Sequence, residues 1–141
     1  MIINVKYIKD VPEIKIIKGG DWIDLCAAED IELSFLDSYL IPLGVAIELP
    51  KGHEGILVPR SSTFKKYGIL MTNSIGVIDE SYNGDEDEWH FPCICMANKT
   101  FIPKGARICQ FRIFKHQSPL GFVKVEHLNH INRGGIGSTG I

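Results

Sequence analysis

Gly105-Ala106-Arg107-Ile108-Cys109-Gln110-Phe111-Arg112-Ile113-Phe114 is the stretch on which the fold class turns. Cys109, Phe111 and Ile113 alternate with Gln110 and Arg112, the period of a strand with one face buried. Pro103-Lys104-Gly105 supplies turn chemistry immediately before it. Working outward, the same period returns in Val45-Ala46-Ile47-Glu48-Leu49, which stops at Pro50-Lys51-Gly52. Further short apolar runs lie at 2–8, 24–27, 55–58, 69–72, 89–96 and 121–125, with the alternating ones inside 40–49 and 107–114. Gly, Pro, Asn and Asp punctuate them, as in an all-β barrel or jelly roll. Only 61–67 reads as a helix, short and with Ser61 or Ser62 as N-cap.

At 141 residues and 45% hydrophobic content, the chain is long enough to bury one core. Residues 1–130 read as that β domain and 131–141 as a C-terminal arm. A net charge of −2 excludes a broad nucleic-acid surface, which needs a basic footprint. No run approaches the ~20 apolar residues of a membrane span. The start, Met1-Ile2-Ile3-Asn4-Val5-Lys6, has no secretory pattern. Cys26, Cys93, Cys95 and Cys109 lack zinc spacing, so they read as reduced thiols of a cytoplasmic protein. Asp85-Glu86-Asp87-Glu88 reads as a solvated loop tip.

Five segments carry chemistry. In Pro59-Arg60-Ser61-Ser62, a guanidinium fork and two hydroxyls stand where the helix begins, an arrangement suited to phosphate oxygens. Asn73-Ser74-Ile75-Gly76-Val77-Ile78-Asp79-Glu80-Ser81-Tyr82-Asn83-Gly84 predicts a tight hairpin whose backbone can bond a planar base. Asp79, read as embedded in an apolar strand, is a candidate general base, and Tyr82 offers a ring to a sugar. Asp24, between Ile23 and Leu25, can orient the waters of a phosphate-bound Mg²⁺, and Gln110 is an amide among apolar neighbours. Finally, Arg133 leads into Gly134-Gly135-Ile136-Gly137-Ser138-Thr139-Gly140-Ile141, rich in backbone N–H groups and hydroxyls that can wrap a polyanion.

Taken in order, these segments resemble the five motifs of the trimeric deoxyuridine triphosphatase (dUTPase) family. The resemblance implies a jelly-roll fold, a homotrimer with shared active sites, and Mg²⁺-assisted hydrolysis of dUTP to dUMP and pyrophosphate. That activity would limit uracil incorporation into DNA and supply dUMP. It implies that Asp79 activates the water attacking the α-phosphorus and binds the sugar 3′-hydroxyl, while Tyr82 excludes a 2′-hydroxyl. Asn73 and the backbone of Gly76 and Ile78 would read uracil. Arg60, Ser61, Ser62 and Gln110 would hold phosphate oxygens or the attacking water, and Asp24 a metal-bound water. Arg133, Gly135, Ile136, Ser138 and Thr139 would belong to the arm that closes over the nucleotide, with Arg133, Ser138 and Thr139 gripping the γ-phosphate.

Three positions depart from the family pattern. Asp21-Trp22 stands where the first motif has Ala-Gly. Ile131 stands where the fifth has its arginine, with Arg133 two residues later, and Ile136 replaces the aromatic that covers uracil. Trp89-His90-Phe91 is therefore the expected alternative lid; alternation puts Trp89 and Phe91 on one face and His90 on the other. A dCTP deaminase on the same fold would carry a Thr-Leu-Glu, which is absent. A regulatory protein-binding module on this fold is the alternative from another class.

Overall fold

The computed structural model describes residues 1–137 and 140. Among these, the chain runs through β1 (Asn4–Tyr7), β2 (Ile23–Cys26), β3 (Ile31–Ser34), β4 (Ser38–Pro42), β5 (Val45–Glu48) and β6 (His53–Pro59). It continues through α1 (Thr63–Tyr67), β7 (Ile69–Met71), β8 (Gly76–Ile78), β9 (His90–Cys95), β10 (Lys99–Ile102) and β11 (Arg107–Lys115). The strands form sheets ordered β2-β11-β6-β8 and β4-β9-β7, with the pairs β1-β5 and β10-β3 beside them. Every pairing is antiparallel. The all-β, jelly-roll-like architecture with one short helix is the one expected.

Strand β11 is the spine, pairing with β2 on one side and β6 on the other. Its alternation holds from Cys109 onward, with Phe111 buried over Leu57. At its start the register to β2 shifts between Arg107 and Cys109, so Ile108 and Cys109 both turn inward. The core beneath includes Ile41, Leu43, Ile47, Leu57, Trp89 and Phe91. Trp89 meets Phe111 edge-on, with ring centroids 5.1 Å apart. Gly55 makes room for it, since a Cβ there would lie 3.0 Å from the indole.

Several expectations change. The run 40–49 divides at Gly44, whose φ of +72° turns the chain between β4 and β5. No strand forms at 121–125; the residues from 116 to 137 are all exposed, so within one protomer this apolar run has nothing to pair with. Among the described residues the last strand is β11, which ends at Lys115. The hairpin expected within 73–84 is absent too, because β8 pairs with β6 and the chain then turns. Strands β3 and β10 escaped notice because each has few apolar residues, although Ile31-Glu32-Leu33-Ser34 alternates buried and exposed.

The helix starts at Thr63, after the second of the two expected caps. Ser62 occupies the N-cap position without a side-chain capping bond. Thr63 does the fastening instead: its buried hydroxyl donates to the Ile108 carbonyl at 2.6 Å and accepts the Arg60 N–H at 3.1 Å. This latch ties the end of β6 to β11 and sets where Arg60 leaves the sheet.

Candidate active site

Arg60 emerges where β6 ends, beside the middle strands of the four-stranded sheet. Its Nε lies 2.8 Å from Asp24 Oδ1, and Arg107 Nη1 lies 3.2 Å from Asp24 Oδ2. The Asp24 side chain is 13% exposed, so both pairs are partly shielded from water. Gln110 is in register with Asp24 on β2 and with Val58 on β6, which places it in the same neighbourhood. Its amide donates to the Pro59 carbonyl over a long 3.4 Å. Ser61 is exposed and Ser62 half-buried beside them. A cleft of about 200 Å³ adjoins Asp24 and Arg107, lined also by Val11, Leu43 and Cys26. This end of the sheet brings together Asp24, Arg60, Gln110 and, unanticipated in this role, Arg107.

The other sequence-derived group gathers at the opposite end. Asp79 lies just past β8 and is exposed rather than embedded in a strand, because β8 stops at Ile78 after three residues. The Ser81 hydroxyl donates to Asp79 Oδ1 at 2.6 Å and the Ser81 N–H to the same oxygen at 2.8 Å. Those bonds, hydroxyl first, hold the Asp79 carboxyl below the usual carboxylate range, helped by nearby His116. Asp79 faces an open cleft of about 660 Å³ shared with Glu54, Phe114 and His116. The Tyr82 N–H donates to the Asp79 carbonyl at 3.0 Å, and its hydroxyl to the Glu88 carbonyl, also at 3.0 Å. Partial burial, with Asp87 and Glu88 nearby, raises the Tyr82 phenol.

Strand β8 is the last of its sheet, so among the described residues one edge of its backbone is unpaired. Gly76 keeps that strand close: a Cβ there would meet Leu57 Cβ and Met71 Cε at 3.2 Å each. Asn73 is exposed in the turn before it, next to Ser74, whose φ of 58° is uncommon for a residue with a side chain. The lid expectation is corrected in two of its three members. Trp89 and Phe91 are 0% exposed and belong to the core, so neither ring can cover a base. His90 faces the other way, half-buried, with Nδ1 2.7 Å from the Glu88 carbonyl that also takes the Tyr82 hydroxyl.

These two groups do not meet within one protomer. Ile78 pairs with Gly55 near the start of β6, whereas Arg60 follows its last residue. At ~3.3 Å per residue the two positions are roughly 17 Å apart along the strand. Arg133, Gly135 and Ile136 are exposed and belong to neither group, and Ser138 and Thr139 lie outside the described residues. Among the described residues no three His, Cys, Asp or Glu side chains cluster to hold a metal ion. Burial pushes the Cys93 thiol to about 11 and also raises the Cys109 thiol well above its ordinary value, which suits packing rather than ligation. Sequence reading missed Ser81 and Thr63 as well. A serine two residues after an aspartate was a legible local signal, whereas the Thr63 latch needed the β11 carbonyl to be in place.

The dUTPase family model matches residues 22–140. The chain is 50% identical over 141 residues to the SPbeta prophage-derived deoxyuridine 5′-triphosphate nucleotidohydrolase YosS of Bacillus subtilis, covering 99% of each. It is 38% identical to the deoxyuridine 5′-triphosphate nucleotidohydrolase of Finegoldia magna, covering 86% of each. The dUTPase structure from Streptococcus mutans superposes with a TM-score of 0.74 at 26% identity, over 83% of this chain and 98% of that one. A variant dUTPase of Staphylococcus bacteriophage 80alpha, solved with dUpNHpp, shares the fold with a TM-score of 0.82 at 20% identity, over 99% of both chains. The chain belongs to the dUTPase family.

Proposed function

We infer that this protein hydrolyses dUTP to dUMP and pyrophosphate, in a homotrimer whose active sites are assembled from neighbouring copies. The observation that carries the reading is Asp79, an exposed carboxylate kept ionised beside the free edge of β8 and facing an open cleft. A base must come within about 3 Å of the proton it removes. Arg60 stands roughly 17 Å along the strand from the Gly55–Ile78 pair that precedes Asp79, so a phosphate held at its own Arg60 lies beyond that reach. A second copy must bring its Arg60 end to the Asp79 end of the first. Exposed apolar surface supports such assembly: Leu120, Phe122, Val123 and Val125 on the segment after β11, and Leu40 and Leu70 on the β4-β9-β7 sheet.

Within that composite site the division of labour follows the chemistry. The unpaired edge of β8, with Asn73, bonds the uracil; Tyr82 packs against the deoxyribose. Asp79 takes a proton from water as its oxygen attacks the α-phosphorus. Arg60, Ser61, Ser62 and Gln110 of the neighbouring copy hold phosphate oxygens in line, and the arm with Arg133, Gly135, Ile136, Ser138 and Thr139 closes over them. With Trp89 and Phe91 in the core, His90 is the remaining ring to cover the base.

The residues present fit Mg²⁺ in one way only. Asp24 is the carboxylate that meets the guanidiniums at the phosphate end, one on each of its oxygens. That donor set cannot cage an ion alone, but it suits a cation bound chiefly to the triphosphate, with Asp24 meeting one of its waters. Bound there, Mg²⁺ would neutralise charge on the phosphate oxygens. Four free thiols suit a cytoplasmic setting, and no helix among the described residues is long and apolar enough to cross a membrane. Pyrophosphate release with Mg²⁺ and dUTP, dTTP, dCTP or UTP tests the reading: turnover is expected for dUTP, with UTP far behind. Comparable turnover of UTP would remove Tyr82 from sugar recognition, and ammonia from dCTP would reinstate the deaminase.

A further inference from the structure

An exposed aspartate on a turn ordinarily exchanges rotamers, and a base that wanders is a poor base. Asp79 is restrained by the residue two positions on. Both bonds from Ser81, 2.6 Å from its hydroxyl and 2.8 Å from its N–H, end on Oδ1. Ser81 is itself held, since its two neighbours are anchored. The Glu80 carboxylate accepts the Gly52 N–H, which ties the turn to the approach of β6. On the other side the Tyr82 hydroxyl reaches the Glu88 carbonyl and its N–H closes the turn onto the Asp79 carbonyl, each at 3.0 Å.

We propose that Ser81 is a positioning residue for the hydrolysis, fixing Asp79 through Oδ1 so that Oδ2 alone is presented to the attacking water. The proposal rests on the reading of Asp79 as the general base. A carboxylate held in this way accepts a proton in one direction, which favours a single in-line approach of the water. The same bonds hold the carboxyl below its usual range and so weaken it as a base, which leaves aim as the larger part of its contribution. Other charges face this cleft as well: Glu54 from β6, with Lys115 and His116 at the end of β11. Their influence is common to every variant at position 81, so changes there isolate the serine.

The test uses the intact enzyme with dUTP and Mg²⁺ and compares Ser81→Ala, Ser81→Thr, Ser81→Val and Asp79→Asn across pH. Ser81→Ala is expected to lower kcat about tenfold, with KM nearly unchanged, since a misplaced catalytic group costs rate. Loss of the hydroxyl bond, with the N–H bond retained, also moves the acid limb of kcat/KM to higher pH, because the carboxylate is then easier to protonate. Threonine should restore both values, whereas valine, of the same shape without the hydroxyl, should not. If the alanine variant folds poorly, the threonine–valine pair decides alone. Equal kcat and equal acid limbs in threonine and valine variants would overturn the role of Ser81 while leaving Asp79 as base. Near-normal turnover in Asp79→Asn would instead overturn the base reading, and this proposal with it.

Discussion

The two ends of the β6–β11 ladder differ in how they manage charge. At the Asp24 end, carboxylate and guanidiniums satisfy one another, with Arg60 and Arg107 on either oxygen of one aspartate. At the Asp79 end, the carboxylate has no cation within bonding distance among the described residues and is held by neutral donors from Ser81. The contrast teaches what kind of partner each end can take. Two guanidiniums loosely satisfied by one acid can exchange it for phosphate oxygens, trading one anion for another. A carboxylate held by neutral donors keeps its charge and one oxygen free for a proton. On the proposed reading the reaction uses both ends, and a neighbouring copy brings them together.

The sharpest way to break this comparison is to mix subunits. Asp79→Asn and Arg60→Ala are each expected to lower turnover at least ~100-fold, the low end for losing a general base and the scale of a lost charge clamp. Co-refolded together, the two variants should recover a fraction of wild-type activity, because some composite sites then receive an intact residue from each copy. No recovery, with mixed oligomers confirmed by mass, would mean that each site is built within one chain. A smaller effect is expected at the latch that places Arg60. Thr63→Val removes the hydroxyl between the Arg60 N–H and the Ile108 carbonyl and should cost about 1–3 kcal/mol of stability. Urea unfolding midpoints check this, and an unchanged midpoint would show that water replaces the hydroxyl. Least of all, His90→Phe should lower KM for dUTP a few-fold and His90→Ala raise it, if this ring covers the base, since base–aromatic stacking is worth roughly 1–3 kcal/mol. Identical KM values would leave the uracil covered by another group.

Much of the site was legible because its chemistry is local. Pro59-Arg60-Ser61-Ser62 and the run from Gly76 to Tyr82 name their donors and acceptors in order, whichever strands surround them. Trp89 and Phe91 were misjudged for an instructive reason. Alternation showed correctly that they share a face opposite His90, but a period of two is blind to which face looks inward. Only the pairing of β9 between β4 and β7 decided that, turning the large rings into the core. The strand expected at 121–125 failed for a related reason: its pattern is real, yet a strand exists only where an edge is available to pair.

The amino-acid order alone determined the all-β class, the single short helix and the residue types that a nucleotide triphosphatase requires. Short-range rules suffice there, because alternation, turn chemistry and donor–acceptor identity act within a few residues. Tertiary structure decided the rest: that two guanidiniums converge on Asp24, that Thr63 locks Arg60 to β11, and that Asp79 and Arg60 stand at opposite ends of one ladder. Each of these joins residues distant in the chain, and strand register, a non-local property, sets every such meeting.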